Sequence, residues 1–595
     1  MASKPLVVGF FLRAAATLMT LLVSGTAANA ALLVRPTPAP PPTPVLTPSP
    51  AISASPVPSP SPSLLPSSGT SASPGASPFG SLALAKTRVQ LNPSTVTSLQ
   101  ILGGTQPYSA RSSETLVVDA NIAAQASVID LSAKANGHAT VTVTDATGAT
   151  VTASVLVGPN AGFVPQDVTL SLIGRPSNDF VIAQLHGAIE RATQPLPGAR
   201  VVIADPAVPP ELGPDTSLDA AVRVHVDGAD RYVDVDGLLN AHIVTATAFP
   251  VAPALLMYSD DPERIAADGV AFRATIDAAR AARLYYYHQA AAEGRRIAIV
   301  LEAPDATASV DVIGHGAGPS AAVMYVGQSA TYRYLDDHAR AAGASFEIPA
   351  GGRIALYAGD RTLATNDLVA GVLDLAVRTG GPVRLSLVAF SSDADLTGLL
   401  AGGVLPSDGK HRRGTYDVSA IAPLALAYTA GTPEGDAVSL GGRGGALVNR
   451  DPGGAALVGD YGVLRPLRLQ LANPTAAAAT LYLYERPIGY PVTTTIAFDG
   501  DAAPTRLGCV KDAAVRYLVR TFVVAPGTTQ TVTGTYMTDG GSTYPLVFGL
   551  TASPPSALPA SMTAPDACFP KSTDPAIVPP PPSPSPATSA SPAAS

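Results

Sequence analysis

Between Gly137 and Val157 the chain alternates apolar and hydroxylated residues with almost no break, and a period of two allows one local structure. Ala139, Val141 and Val143 share one side, with Thr140, Thr142 and Thr144 opposite. Asp145-Ala146-Thr147-Gly148 supplies a turn, and Ala149, Val151, Ala153, Val155 and Val157 return on the apolar side against Thr150, Thr152 and Ser154. β-branched residues at this spacing with a glycine-ended turn predict a half-buried antiparallel hairpin. The stretches Val89–Ala110 and Glu114–Ala120 add short strands upstream at the spacing of a β-sandwich.

The block from about Leu84 to Gly158, with Gly103–Ala110 early and Asn136–Val157 late, resembles the bacterial immunoglobulin-like domains found in the stalks of intimin- and invasin-type adhesins. The resemblance covers about one eighth of the chain. It implies a β-sandwich that acts as a spacer or binding module, and it carries no catalytic residue over to this chain.

Composition widens this reading. A chain of 595 residues exceeds what one core usually holds, so several domains are expected. Charged residues are only 14%, while 58 prolines and 53 glycines favour turns and extended segments. The net charge of −8, without any basic cluster, argues against nucleic acid and anionic membranes as partners.

The first 30 residues read as an export signal: Lys4 and Arg13, an apolar core at Ala14–Val23, then Ala28-Asn29-Ala30 as a cleavage site, so that the mature chain begins at Ala31. An uncleaved anchor is the rival, disfavoured by the short apolar run. No later segment is apolar enough to span a bilayer, and a secreted, periplasmic or cell-surface location follows. Pro36–Pro78 holds 15 prolines in 43 residues, and Pro570–Ser595 repeats that composition. Both are expected to be extended spacers. Cys509 and Cys568 are the only cysteines; an oxidising compartment favours pairing them, the alternative being two unrelated buried thiols.

The resulting expectation is a mainly β, multidomain chain: signal peptide 1–30, Pro/Ser-rich linker 31–80, immunoglobulin-like sandwich 81–158, small α+β module 159–256, sandwich repeats 257–402 and 403–569, and Pro/Ser-rich tail 570–595. In the α+β module Ser177 caps a helix whose Val181, Leu185, Ala188, Ile189 and Ala192 share a face, and Pro195 ends it. The repeat rests on three paired stretches: Ile299–Ile313 with Leu469–Glu485, Phe346–Leu356 with Phe522–Val532, and Thr379–Phe390 with Asp539–Leu550. They keep their order at separations of 160 to 176 residues.

Chemical signals are sparse. Leu284–Gln289 puts Tyr285 and Tyr287 on one strand face and Tyr286 and His288 on the other; exposed tyrosines stack on sugars, but core packing is the expected fate. Asp227, Asp230, Asp234 and Asp236 surround a turn, yet Leu238 stands where a twelve-residue calcium loop needs its closing acid, which favours a solvated hairpin. Gly314–Gly318, Gly-His-Gly-Ala-Gly, is like the glycine-rich oxyanion loops of esterases, but no G-x-S-x-G nucleophile turn accompanies it. Asp336-Asp337-His338 reads as a solvent-facing loop, since adjacent residues do not converge on a metal. Asp539-Gly540-Gly541 reads as a hairpin turn. No catalytic, cofactor-binding or metal residue is assigned and no cofactor is expected. The function expected is structural or adhesive, with surface polymers or glycans as ligands; the alternative is a secreted hydrolase with its site in loops of the sandwich repeats.

Overall fold

The hairpin forms in the predicted register. Gly137–Thr144 pairs antiparallel with Thr150–Val157, and Val141, Val143, Ala153, Val155 and Val157 are buried. Its turn is tied by Asp145, whose carboxylate accepts from the Thr147 hydroxyl at 2.7 Å and the backbone N–H groups of Thr147, Ala149 and Thr105. These bonds, the Thr147 hydroxyl first, hold the Asp145 carboxyl below its usual value.

The computed structural model describes residues 80–123, 127–248, 251–357, 362–391, 394–441, 447–488 and 491–557. The signal segment, the proline-rich segments Pro36–Pro78 and Pro570–Ser595, and Cys568 lie outside the described residues. The fold is mainly β, in several separate sheets. The hairpin belongs to one of two four-stranded sheets within residues 83–157, which enclose a core of Leu99, Val118, Ile129, Leu131, Val141 and Val155. This sandwich meets the next segment through Gln90 and Asp234, which exchange two hydrogen bonds of 3.0 and 2.8 Å.

A twelve-stranded sheet dominates the centre. Its path runs Arg200–Ile203, Ser217–Asp227, Val235–Ala246, Asp167–Ile173, Gly343–Ile348, Ala308–Ile313, Leu368–Gly380, Ala282–Ala290, Leu255–Ser259 and Arg413–Asp417. Helix α1 (Asn178–Thr193) covers it, with Ser177 as its cap, and buries Val181, Leu185, Ala188 and Ile189 as the spacing requires; Ala192 is only half-buried, and Phe180 is buried beside the expected face. Each large aliphatic or aromatic side chain so buried contributes roughly 1.5–3 kcal/mol. A four-stranded sheet, Gly269–Ile276, Val383–Ser391, Arg295–Ala303 and Gly352–Tyr357, packs on the central part.

The sheet crosses the expected boundary at residue 256. Ile173 and Leu172 pair with Gly343 and Ala344, and one core extends from Ala161 to Ala389. The strand Leu255–Ser259 straddles that boundary, and Arg413–Asp417, expected in the second repeat, pairs with it. The last sandwich accordingly comprises a five-stranded and a four-stranded sheet within residues 424–551.

Two of the three sequence pairings fall on matching strands. Arg295–Ala303 pairs with Gly352–Tyr357 as Arg465–Asn473 does with Thr528–Thr538, and Ala308–Ile313 pairs with Gly343–Ile348 as Ala479–Pro487 does with Tyr517–Val524. The third pairing fails: Val383–Ser391 joins the sheet of Arg295–Ala303, whereas Leu546–Thr551 joins that of Ala479–Pro487. For the same reason Asp539-Gly540-Gly541 is no hairpin turn, because Thr528–Thr538 and Leu546–Thr551 lie in different sheets.

Helix α2 (Val323–Arg340) was not legible as a helix. It packs against Leu368–Gly380 on one side and Val492–Phe498 of the last sandwich on the other. Gln328, fully buried, donates to the carbonyls of Thr494 and Leu507, and a Cβ at Gly327 would overlap the Gly540 carbonyl. A short helix α3 (Leu396–Ala401) is capped by Asp395. Among the described residues no helix is long and apolar enough to cross a membrane.

Candidate functional site

The glycine-rich segment Gly314–Gly318 links Ala308–Ile313 to α2 by running close along the strand Leu368–Gly380, with which the short strand Ala317–Ser320 pairs antiparallel. Gly314 and Gly318 adopt φ of +98° and +93° against the carbonyls of Val372 and Leu368, a conformation that side chains resist. Gly316 leaves the space filled by the Tyr286 hydroxyl. The backbone is thereby pressed onto the sheet, and His315 is held beside α2.

Two residues one turn apart on α2 hold this segment. Arg333 donates to the Gly316 carbonyl at 2.6 Å, and Asp337 Oδ2 lies 2.5 Å from His315 Nδ1. The His315 ring meets Phe180 of α1 edge-on at 5.3 Å. Asp337 is 1% exposed, and burial pushes its carboxyl above the usual value against the opposing pull of His315. The carboxylate occupies Nδ1 and orients the ring, leaving Nε2 as the nitrogen available to a ligand.

His315 and Arg333 border two adjoining cavities of about 470 and 380 Å³. The first lies between α1 and the sheet, with His186, Glu190, Arg191 and Tyr286 on its walls. The second is bounded by Ser177, Ser320, Tyr325, Tyr332 and Arg506, so α1, α2 and the last sandwich all contribute to it. The two share His315, Arg333, Asp179 and Gly318 on their walls; the first is lined by aliphatic residues as well as polar ones, the second is more polar, and both lie at a junction of separate sheets, a usual setting for a ligand-binding cleft. The chemistry within reach is a fixed imidazole nitrogen, guanidinium donors, hydroxyls and tyrosine rings. Among the described residues no serine, threonine or cysteine side chain hydrogen-bonds His315, and no set of three metal-ligating side chains occurs.

The sequence treated Gly314–Gly318 and Asp336-Asp337-His338 as unrelated, and the fold brings one residue of each together. The expected solvent-facing loop at Asp336–His338 is instead the last turn of α2. Its residues diverge: Asp336 pairs with Arg340, Asp337 with His315, and His338 approaches Asp374 at 3.5 Å. The 22-residue separation of His315 and Asp337, bridged by a helix with no side-chain cap, concealed the pair.

The other candidates disperse. Tyr285, Tyr286, Tyr287 and His288 are all buried, as core packing requires. The four aspartates take separate partners: Asp227 accepts from Ala229, Asp230 pairs with Arg88, Asp234 with Gln90 and Asp236 with His225. A serine–histidine contact away from the cleft, Ser259 to His288 Nε2 at 2.9 Å, is fully buried, with Nδ1 held by the Pro262 carbonyl. Burial pushes that histidine down to about 4, so it stays neutral as a structural link. Cys509 is buried beside Met324, and its expected partner Cys568 lies outside the described residues.

No protein-family model and no curated protein matches the chain. Solved structures match at low similarity. Domains 4 and 5 of the S-layer protein SbsC are 15% identical over 13% of this chain and 45% of that one, with a TM-score of 0.13. Drosophila N-cadherin EC1-4 is 11% identical over 28% of this chain and 49% of that one, with a TM-score of 0.11. Lac15 from a marine microbial metagenome is 11% identical over 79% and 90% of the two chains, with a TM-score of 0.10. The chain spans about half the length of the first two, and TM-scores this low carry no argument about function.

Proposed function

We propose that the chain is an exported binding protein of the cell surface or periplasm, in which β-domains hold a cleft that takes a surface polymer, with glycans as the ligand class. The observation that carries this reading is the convergence of α1, the 314–320 segment, α2 and the last sandwich on cavities bordered by His315 and Arg333. The proline-rich segments serve as spacers, and a Cys509–Cys568 disulfide fastens the C-terminal segment to the last sandwich. On the loop-entropy model a loop of about 60 residues restricts the unfolded chain by roughly 4 kcal/mol. Peptide mapping without reductant should recover the two cysteines linked; two free thiols would refute the pairing.

The test of binding is retention of the purified mature chain on immobilised cell-surface polysaccharide. Retention that falls at least tenfold in His315→Ala supports the cleft, and undiminished retention places the ligand elsewhere. A second reading, hydrolysis, is favoured by one observation: a histidine oriented by a buried carboxylate is the geometry of a general base acting on water. Product release from ester or glycoside panels, lost in His315→Ala, would replace binding with catalysis.

A further inference from the structure

We infer that the ligand of the cleft carries an alkyl or acyl chain, which enters the larger cavity between α1 and the central sheet while a sugar stays at its mouth. The inference rests on the binding reading above and adds an apolar half to its ligand.

The walls of this cavity are sorted by burial. Ile299, Val312, Phe346 and Leu373 on its lining are buried and belong to the hydrophobic core. Ile182 of α1, with Val201 and Ile203 of the outermost strand Arg200–Ile203, is half-buried on the same walls. The polar lining residues stand nearer the solvent: Asp179 and Asp205 are exposed, and His186, Glu190 and His315 are half-buried. Polarity falls as burial rises, which is the arrangement that a ligand with one apolar and one polar end requires.

The polar groups at the mouth are mostly matched within the protein. His186 Nε2 lies 2.8 Å from Asp205, Glu190 pairs with Arg296, His315 pairs with Asp337, and Arg191 donates to the Ala355 carbonyl. Charge therefore offers little selection, and what remains for a ligand to cover is the aliphatic wall. A volume of about 470 Å³ accommodates several methylenes, and each one removed from water there raises affinity by up to roughly fourfold.

The experiment is calorimetric titration of the full chain with methyl, hexyl and octyl β-glucoside, each below its micelle concentration, and with 1-octanol, which has the chain without the sugar. Affinity is expected to rise at least tenfold from methyl to octyl, with hexyl between them and a binding enthalpy that grows more negative on warming, the mark of apolar burial. Octanol should bind at least threefold more weakly than octyl glucoside. Ile182→Trp, which fills the cavity from a half-buried position, should cut the octyl-to-methyl ratio at least fivefold. Ile203→Ser, a second variant that leaves α1 intact, should cut it about threefold. Equal binding of methyl and octyl glucoside, both abolished in His315→Ala, would overturn the chain while leaving the cleft as the polymer site. An octyl preference unchanged in both variants would overturn its placement in this cavity. Octanol as tight as octyl glucoside would overturn the sugar-borne chain in favour of a free lipid. Absence of binding by all four, with retention on polysaccharide also absent, would overturn this inference and the binding reading together; with retention present, it would overturn this inference alone.

Discussion

The two long helices bury their side chains in different ways. α1 lies on one face of the central sheet, so its buried residues form a stripe while Asp179, His186 and Glu190 face the cavity. α2 is held between that sheet and the last sandwich and buries polar residues with apolar ones: Gln328, Ser329, Thr331 and Asp337 beside Met324, Val326, Tyr334 and Leu335. A helix covered on one side is specified by apolar periodicity, whereas one covered on both sides depends on satisfying each polar group and on close backbone approach. The difference locates the cleft, because only α2 reaches both bodies that line it.

The largest expected contrast is in pH dependence. Behind the α2 contact lie Glu485 and Asp539, both fully buried; burial pushes them up to about 8 and about 7, against the weaker pull of the Thr494 hydroxyl on Glu485 and of Thr493, Thr495 and Arg506 on Asp539. Both stay neutral in the fold while their unfolded forms ionise near pH 4, so their stabilising contribution is complete below that pH and declines until about pH 8. Stability from urea midpoints should fall by on the order of 4 kcal/mol for each of the two groups across that window, and Glu485→Gln should remove about half of the slope. A slope unchanged in Glu485→Gln would remove Glu485 from the account.

Next in size are substitutions on the helices. Gly327→Leu inserts atoms into the Gly540 backbone and should cost about 3 kcal/mol. A Cβ at Gly187 of α1 meets only the Arg191 guanidinium end, 3.2 Å away and bonded to the Ala355 carbonyl, so Gly187→Ala should gain at most about 0.5–1 kcal/mol. Similar effects at the two positions would erase the distinction between the helices. Ser177→Ala, which removes the α1 cap, should cost about 1 kcal/mol by thermal denaturation. No change there would mean that packing alone holds that end.

Legibility followed the same division. The 137–157 hairpin and α1 each expose a polar side, and Val141 or Leu185 could be placed from spacing alone. The chain of α2 gave no such signal: Tyr325, Tyr332, Tyr334, Val323 and Val326 suit strands equally well, and both faces are covered. The continuation of the central sheet from the α+β module into the first repeat rests on two backbone pairings near Ile173 and Gly343, which leave no mark in composition. The Asp539 turn looked local because its residues suit a hairpin, but its strands diverge to separate sheets. Of the site, the histidine loop and the acidic triplet were each visible, and what was missing was the helix that brings Asp337 to His315.

Hydrogen exchange followed by mass spectrometry tests the central claim most directly, since peptides from 323–340 report whether α2 is enclosed on both sides. The account predicts protection of these amides equal to that of the core strands Ala282–Ala290 and Leu368–Gly380, and greater than that of 178–193. Exchange of 323–340 as fast as an exposed loop would contradict it.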